Sequence, residues 1–211
     1  MIIAHEIKNP LGIIKSSIDL LKNDVAQGGD NLMIQYVEDE IRRLNRLIEE
    51  FLLFSKPAMP NFREVDLNGM LQEGITRFEI QLNGCETRIS SEVPETPCQA
   101  KGDPDLLMRA IGNVLKNAVE ANDRKGVVSV AAGCRDGRWV LEIGDQGSGI
   151  RPEDLGRIFE PFFTTRSQGT GLGLAYASQV IANHDGSIAA ENRSSGSGAV
   201  FTIELPLEEG P

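Results

Sequence analysis

The chain has 211 residues, 40% hydrophobic and 25% charged, which is enough apolar content to bury a core and rules out wholesale disorder. Lys and Arg number 21 against 31 Asp and Glu, a net charge of -10, so the surplus of cations that would bind nucleic acid or an anionic membrane surface is missing. No apolar run approaches the roughly 18 residues that cross a bilayer, and Met1 to Glu6 is too short and too soon interrupted for a secretory signal. The chain therefore reads as soluble and cytoplasmic, although a parent protein could carry a membrane anchor elsewhere. Cys85, Cys98 and Cys134 are odd in number and far apart, with no Cys-x-x-Cys pair, and read as reduced thiols.

The first elements are helical. Ile7, Leu11, Ile14, Ile18 and Leu21 recur at spacings of four and three, as do Ile34, Val37, Ile41, Leu44, Ile48 and Phe51. Between the two seams, Gly28 and Gly29 end the first helix, and Asp30 or Asn31 can cap the second. This predicts an antiparallel hairpin over residues 1–56. Two helices leave too much apolar seam uncovered, so the hairpin is expected to form a homodimer as a four-helix bundle.

Lys56 to Pro60 ends the second helix as a stiff linker, placed at 57–61, and residues 62–211 form a second domain. There the pattern predicts a strand from Phe62 to Asp66, a helix from Leu67 to Leu82 and a strand from Arg88 to Val93. Asp103 and Pro104 open a helix as cap and first residue, running to about Asn122. Strands Val127 to Cys134 and Trp139 to Asp145 flank the turn at Arg135-Asp136-Gly137. A Gly-rich region follows, then a helix from about Gly171 to Asn183 and strands Ser187 to Asn192 and Ala199 to Leu205. The stretch Ser194 to Gly198 reads as a flexible hairpin turn. The fold class is α+β: a helical hairpin, then an α/β sandwich with one mixed sheet under a helical layer.

Four clusters carry chemistry. His5 lies two positions before Ile7, about 200° round the helix from the seam, so it faces outward. Glu6 is adjacent, Asn9 follows one turn later, and Pro10 loosens the helix there. A neutral imidazole is a nucleophile near neutral pH, and a neighbouring carboxylate can stabilise the cation formed on attack. The second cluster is Asn113 and Asn117, four apart on one helical face, whose carboxamide oxygens are hard ligands suited to Mg²⁺. The third is Asp145-Gln146-Gly147-Ser148-Gly149-Ile150 after a strand, a carboxylate that can accept from an exocyclic amine, beside glycines that let the backbone approach a ligand. The fourth is Gly169-Thr170-Gly171-Leu172-Gly173, where amides at a helix start suit a phosphate. Phe159, Phe162 and Phe163 lie between the last two, as an apolar anchor for a flap or as a core cluster. Singly, each cluster also fits an ordinary surface residue, turn or helix end.

The run His5-Glu6-Ile7-Lys8-Asn9-Pro10-Leu11 resembles the phosphoacceptor box of bacterial sensor histidine kinases, and the later clusters resemble the N, G1, F and G2 boxes of their Bergerat-fold ATP-binding domain. The resemblance spans His5 to about Leu207. It implies a protein-histidine kinase that uses Mg²⁺-ATP to phosphorylate His5 and passes the phosphoryl group to an Asp of a response regulator receiver domain. It implies Glu6 in proton handling and Asn9 in the reverse, phosphatase reaction. Asn117 and Asn113 would bind Mg²⁺, Asp145 would read the adenine amine, Gly147 and Gly149 would shape the pocket, and Ile150 would lie against the base. Arg166 would neutralise the γ-phosphate, and Gly169, Gly171, Leu172 and Gly173 would serve the phosphates and lid. The related hydrolases carry a Glu at the position of Asn113 as base for water, and an amide cannot take that proton. Where the family often has Gly-Gly after the last helix, this chain has His184-Asp185-Gly186, with His184 expected to be structural. The rival readings are a Bergerat-fold ATPase that drives conformational change and a nucleotide-binding signalling scaffold.

Overall fold

The structure, a computed structural model, describes residues 12–18, 32–55, 59–82, 86–166, 169–194 and 196–207. His5, Glu6 and Asn9, the break at Gly28 and Gly29, and Cys85 lie outside the described residues. The chain divides into two compact units, Met1–Ala58 with Thr164–Leu172, and Met59–Phe163 with Gly173–Pro211.

The first unit holds α1 (residues 12–18) and α2 (Leu32–Ser55). Leu47 of α2 is buried, whereas Ile41, Ile48 and Leu52 are exposed, as are Ile13 and Ile18 of α1. Arg42 reaches Asp39 at 2.7 Å on an exposed surface, where such a pair contributes little, and Arg43 reaches Glu40 at 3.0 Å in a part-buried pair.

In the second unit the order is β1 (Arg63–Asp66), α3 (Leu67–Gln81), β2 (Glu86–Glu92), β3 (Gln99–Gly102), α4 (Pro104–Ala121), β4 (Lys125–Arg135), β5 (Arg138–Gly144), α5 (Gly173–Ala182), β6 (Ser187–Asn192) and β7 (Ala199–Pro206). A five-stranded sheet runs β2-β4-β5-β7-β6. Its β2–β4 pair is parallel and the rest antiparallel. A parallel neighbour needs a crossover, and α4 supplies it between β2 and β4. Along β7, Ala199, Phe201, Ile203 and Leu205 are buried at alternate positions and face the helices. Leu107, Ile111, Val114, Leu115 and Ala118 of α4 are fully buried, and α4 packs on α3, α5, β4 and β5.

Three sequence expectations are corrected here. The strand from Gln99 to Gly102 was not foreseen. It pairs antiparallel with β1 in a separate two-stranded sheet, so the strands do not form one sheet. The last helix starts at Gly173 rather than Gly171. Cys98 and Cys134, expected as reduced thiols, are joined in a disulfide with Cα atoms 6.7 Å apart. Spacing could not show this pairing: the segment entering β3 meets the end of β4 only in the folded chain.

Side-chain caps fix the helix starts. Asp66 Oδ1 accepts from Asn68 N at 3.2 Å and from Cys98 N at 3.0 Å. Asp103 Oδ1 accepts from Asp105 N and Leu106 N, both at 3.1 Å, and Oδ2 accepts from Asn61 N at 2.8 Å. His184 is buried; its Nε2 accepts from Asp103 N at 3.0 Å and its Nδ1 donates to Val180 O at 2.7 Å, a structural post linking α5 to the start of α4. Burial pushes the Asp103 carboxyl up, but the amides of Asn61, Leu106 and Asp105 outweigh it and hold the carboxyl below its ordinary value.

That depressed carboxyl contributes stability that is fully present above the ordinary carboxyl range and is lost as pH falls through its lower folded value. Asp103→Ala is expected to cost about 1–2 kcal/mol in urea unfolding at neutral pH. Asp103→Asn keeps a cap acceptor but loses this part of the acid dependence. An unchanged acid limb in Asp103→Asn would show that the carboxylate is not the titrating group.

Candidate nucleotide site

Helix α4 is the spine of the site in the second unit. While its Leu107–Ile111–Val114 face enters the core, Asn113 and Asn117 are half-buried one turn apart. Asn113 Nδ2 donates to Gly173 O at 3.2 Å, at the first residue of α5. That bond turns the Asn113 amide nitrogen toward α5 and leaves its carboxamide oxygen to meet a hard cation. Among the described residues, no three His, Cys, Asp or Glu side chains cluster as a metal site. Two carboxamide groups on one helix face are a sparse, hard donor set, of the kind that suits an ion keeping most of its ligands from water and phosphate.

The other end of α4 shapes the loop that follows β5. Asn122 Oδ1 accepts from Gln146 N at 2.6 Å and its Nδ2 donates to Val127 O at 3.1 Å, while Gln146 Oε1 accepts from Val127 N. Gly147 passes so close to α4 that a Cβ there would lie 2.4 Å from the Ala121 carbonyl oxygen, so no side chain fits.

Asp145 is 2% exposed at the end of β5. Its Oδ1 accepts from Gly147 N at 2.9 Å and from Ala199 N at 3.2 Å. A buried carboxylate needs such donors. With two amides on Oδ1, the second oxygen is the one left to accept from a ligand amine. Gly198, read from sequence as part of a flexible turn, is a packing residue here. Its φ is +113°, and a Cβ would lie 2.1 Å from the Asp145 carbonyl oxygen. Gly149 follows at the loop's left-handed turn, and Ile150 is half-buried.

Asn192, at the end of β6, was not singled out by sequence. Its Oδ1 accepts from Ile150 N and its Nδ2 donates to Ile150 O, both at 2.7 Å, so it pairs with the loop as another peptide would. Asn122 does the same work from α4. Neither stands near the glycine cluster in sequence, and no local pattern marks them.

Phe159 packs edge-on against core residue Phe201, with centroids 6.4 Å apart, and Arg157 lies 4.6 Å over the Phe163 ring. This settles Phe159 as an anchor to the core. Arg166, Gly169, Gly171 and Leu172 fall in the first unit. There Thr164 Oγ1 accepts from Arg166 N at 3.1 Å, Gly169 N donates to Arg166 O at 3.2 Å, and the Thr170 hydroxyl donates to Glu50 of α2. The structure thus brings Asn113, Asn117, Asp145, Gly147, Gly149, Ile150 and Gly173 together in one unit.

Residues 102–209 match the family model described as histidine kinase-, DNA gyrase B- and HSP90-like ATPase, and residues 2–59 match the histidine kinase A phosphoacceptor domain. The chain belongs to the histidine kinases. It is 36% identical to the sensor histidine kinase ZraS of Klebsiella oxytoca over 97% of this chain and 45% of the relative. To sporulation kinase C of Bacillus subtilis it is 31% identical over 98% of this chain and 48% of the relative. It therefore spans under half the length of these relatives. Among solved structures, the histidine kinase ThkA in complex with the response regulator protein TrrA is similar with a TM-score of 0.81 and 28% identity, over 97% of this chain and 60% of that one. Full-length ShkA in complex with AMPPNP is similar with a TM-score of 0.71 and 26% identity, over 85% of this chain and 39% of that one. The α+β fold and the histidine kinase core expected from the sequence are thus borne out, with a phosphoacceptor segment followed by an ATP-binding domain.

In this kinase, Asn192→Ala removes two hydrogen bonds that hold the loop after Asp145. At about 0.5–1.5 kcal/mol each, their loss is expected to raise the Kd for AMPPNP about fivefold to a hundredfold by calorimetric titration, with the fold retained by circular dichroism. Unaltered affinity would show that the loop holds its form without the clamp.

Proposed function

We propose that this histidine kinase core binds Mg²⁺-ATP in the second unit and transfers the γ-phosphoryl group to His5, then to an Asp of a response regulator receiver domain. The observation that carries the reading is the pairing of Asp145, with one carboxylate oxygen left for an adenine amine, and Asn113, a carboxamide four residues before Asn117. A carboxamide cannot take a proton from water, so hydrolysis is slow and ATP is kept for a better nucleophile. The similarity to ThkA and ShkA supports both the nucleotide and the regulator parts of this reading.

Within it, Asn113 and Asn117 hold Mg²⁺ through their carboxamide oxygens. When bound, Mg²⁺ neutralises charge that develops on the transferring phosphoryl group. Asp145 orients the adenine, Gly147 and Gly149 admit it, and Ile150 lies against its face. Arg166 offsets γ-phosphate charge, and the amides of Gly169, Gly171, Leu172 and Gly173 receive phosphate oxygens at the start of α5. His5 is the nucleophile, Glu6 takes up proton density from the imidazole, and Asn9 orients water for dephosphorylation of the regulator. The functional division is 1–56 as dimerising phosphoacceptor hairpin, 57–61 as linker and 62–211 as catalytic domain. The exposed Ile41, Ile48 and Leu52 support a homodimer through the hairpin, with the regulator docking near His5. Such a core acts in the cytoplasm, with any membrane anchor in the rest of the parent protein.

Incubation with γ-labelled ATP is expected to leave acid-labile, base-stable label on the protein, and His5→Ala is expected to abolish it. Steady ATP hydrolysis that survives His5→Ala, with no label on the wild-type chain, would instead identify an ATPase. Asn9→Ala is expected to slow dephosphorylation of phosphorylated regulator by about 10²-fold while leaving labelling of His5 intact, read in a time course with the regulator's phosphate labelled. An unchanged rate would remove Asn9 from that step.

A further inference from the structure

The disulfide lies away from the nucleotide site. Cys98 precedes β3 and is 3% exposed, whereas Cys134, next to last in β4, is exposed. Cys134 pairs across the strands with Trp139, so the two side chains share a sheet face. The Trp139 indole is fully buried and donates to Asn68 Oδ1 at 2.8 Å, and Asn68 Nδ2 donates to Thr96 O at 2.8 Å. Cys98 itself is tied on both sides of its backbone. Its amide donates to Asp66, and its carbonyl accepts from Leu67 N at 2.9 Å. Cys98 is therefore a buried residue with its backbone tied, and Cys134 is an exposed one. Access decides which sulfur is attacked in thiol–disulfide exchange, so this asymmetry directs an incoming thiolate to Cys134 and makes Cys98 the leaving sulfur. Trp139 and Asp145 lie at opposite ends of β5, about 20 Å apart at the rise of a strand, so the bond acts on the packing of layers rather than on the base pocket.

We propose that Cys98 and Cys134 form a thiol–disulfide exchange site for a low-molecular-weight monothiol of the glutathione class. The incoming thiolate attacks Cys134 Sγ, the Cys98–Cys134 bond breaks, and Cys98 leaves as a thiolate that takes up a proton. A second thiolate attacks the small molecule's sulfur in the mixed disulfide and releases Cys134. Two monothiols are oxidised to one small disulfide while the protein disulfide is reduced to two thiols, and the reverse sequence closes the bond. Reduction releases the segment Val93–Cys98 from the β4–β5 hairpin, leaving it tied by Asp66, Leu67, Asn68 and Gln72.

The test is a glutathione redox titration of the full chain carrying Cys85→Ser, with remaining thiols alkylated and counted by intact mass and with emission followed from Trp139, the single tryptophan. The expected result is one two-electron transition in which zero alkylated sites become two, with Trp139 emission changing at the same glutathione ratio. In Cys98→Ser, oxidised glutathione is expected to leave one glutathione adduct on Cys134; in Cys134→Ser, Cys98 stays unmodified until the protein is unfolded. Two alkylated sites at every ratio would overturn the proposal by showing that the bond does not form. A bond that opens only after denaturation would overturn it by showing a fixed staple, and equal adduct formation on Cys98 and Cys134 in the single variants would remove the asymmetry it rests on.

Discussion

One buried carboxylate oxygen joins three segments of the ATP-binding domain. Asp145 Oδ1 takes the amides of Gly147 and Ala199, so the end of β5, the loop after it and the start of β7 meet at a single atom. A charge at 2% exposure would be costly without these donors, and with them it becomes a fixed point that the loop turns around. Gly198 presses on the Asp145 carbonyl from the other side, which confines the backbone as well as the side chain. The second carboxylate oxygen is thereby aimed without a mobile side chain having to find its place on binding, and orientation fixed in advance lowers the entropy cost of capture.

Around that point the loop is held by amides rather than by salt bridges. Asn122 reaches it from α4 and Asn192 from β6, each with both ends of its carboxamide engaged. These neutral carboxamide bonds add no further fixed charge beside Asp145. They also cost less to desolvate than ion pairs would. Ion pairs such as Arg77 with Glu73 and Lys125 with Glu86 lie on exposed surfaces, where each adds little, whereas Arg151 meets the buried Asp154 just past the loop at 2.7 Å.

Much of this was legible in the sequence because it is local. Asp103 before Pro104 announces the start of α4, and both its cap bonds are present. The alternation in β7 and the four-residue spacing of Asn113 and Asn117 follow from the periods of strand and helix. What was not legible is long-range. Gln99–Gly102 is four residues with a lysine and a glycine, too short and too polar to read as a strand, and it forms because β1 offers it a partner. Cys98 meets Cys134, and Asn192 meets Ile150, only after the sheet has brought distant segments side by side. Ser194 to Gly198 carries the composition of a flexible turn, yet the packing of Gly198 is set by Asp145, which no neighbour in sequence reveals.

Helix α4 shows how one element serves stability and chemistry together. Leu107, Ile111, Val114, Leu115 and Ala118 are removed from water, and burying each large side chain contributes about 1.5–3 kcal/mol. That packing fixes the helix in rotation and in height. Because rotation is fixed, Asn113 and Asn117 emerge on the opposite border at a set angle; because height is fixed, Ala121 and Asn122 arrive level with the loop after β5. Any shift of α4 along its axis by one residue would turn Asn113 by about 100° and carry it from Gly173. The placement of the candidate site is therefore a by-product of core packing: Asn113 and Asn117 need no separate scaffold, because the buried residues of α4 set where they stand.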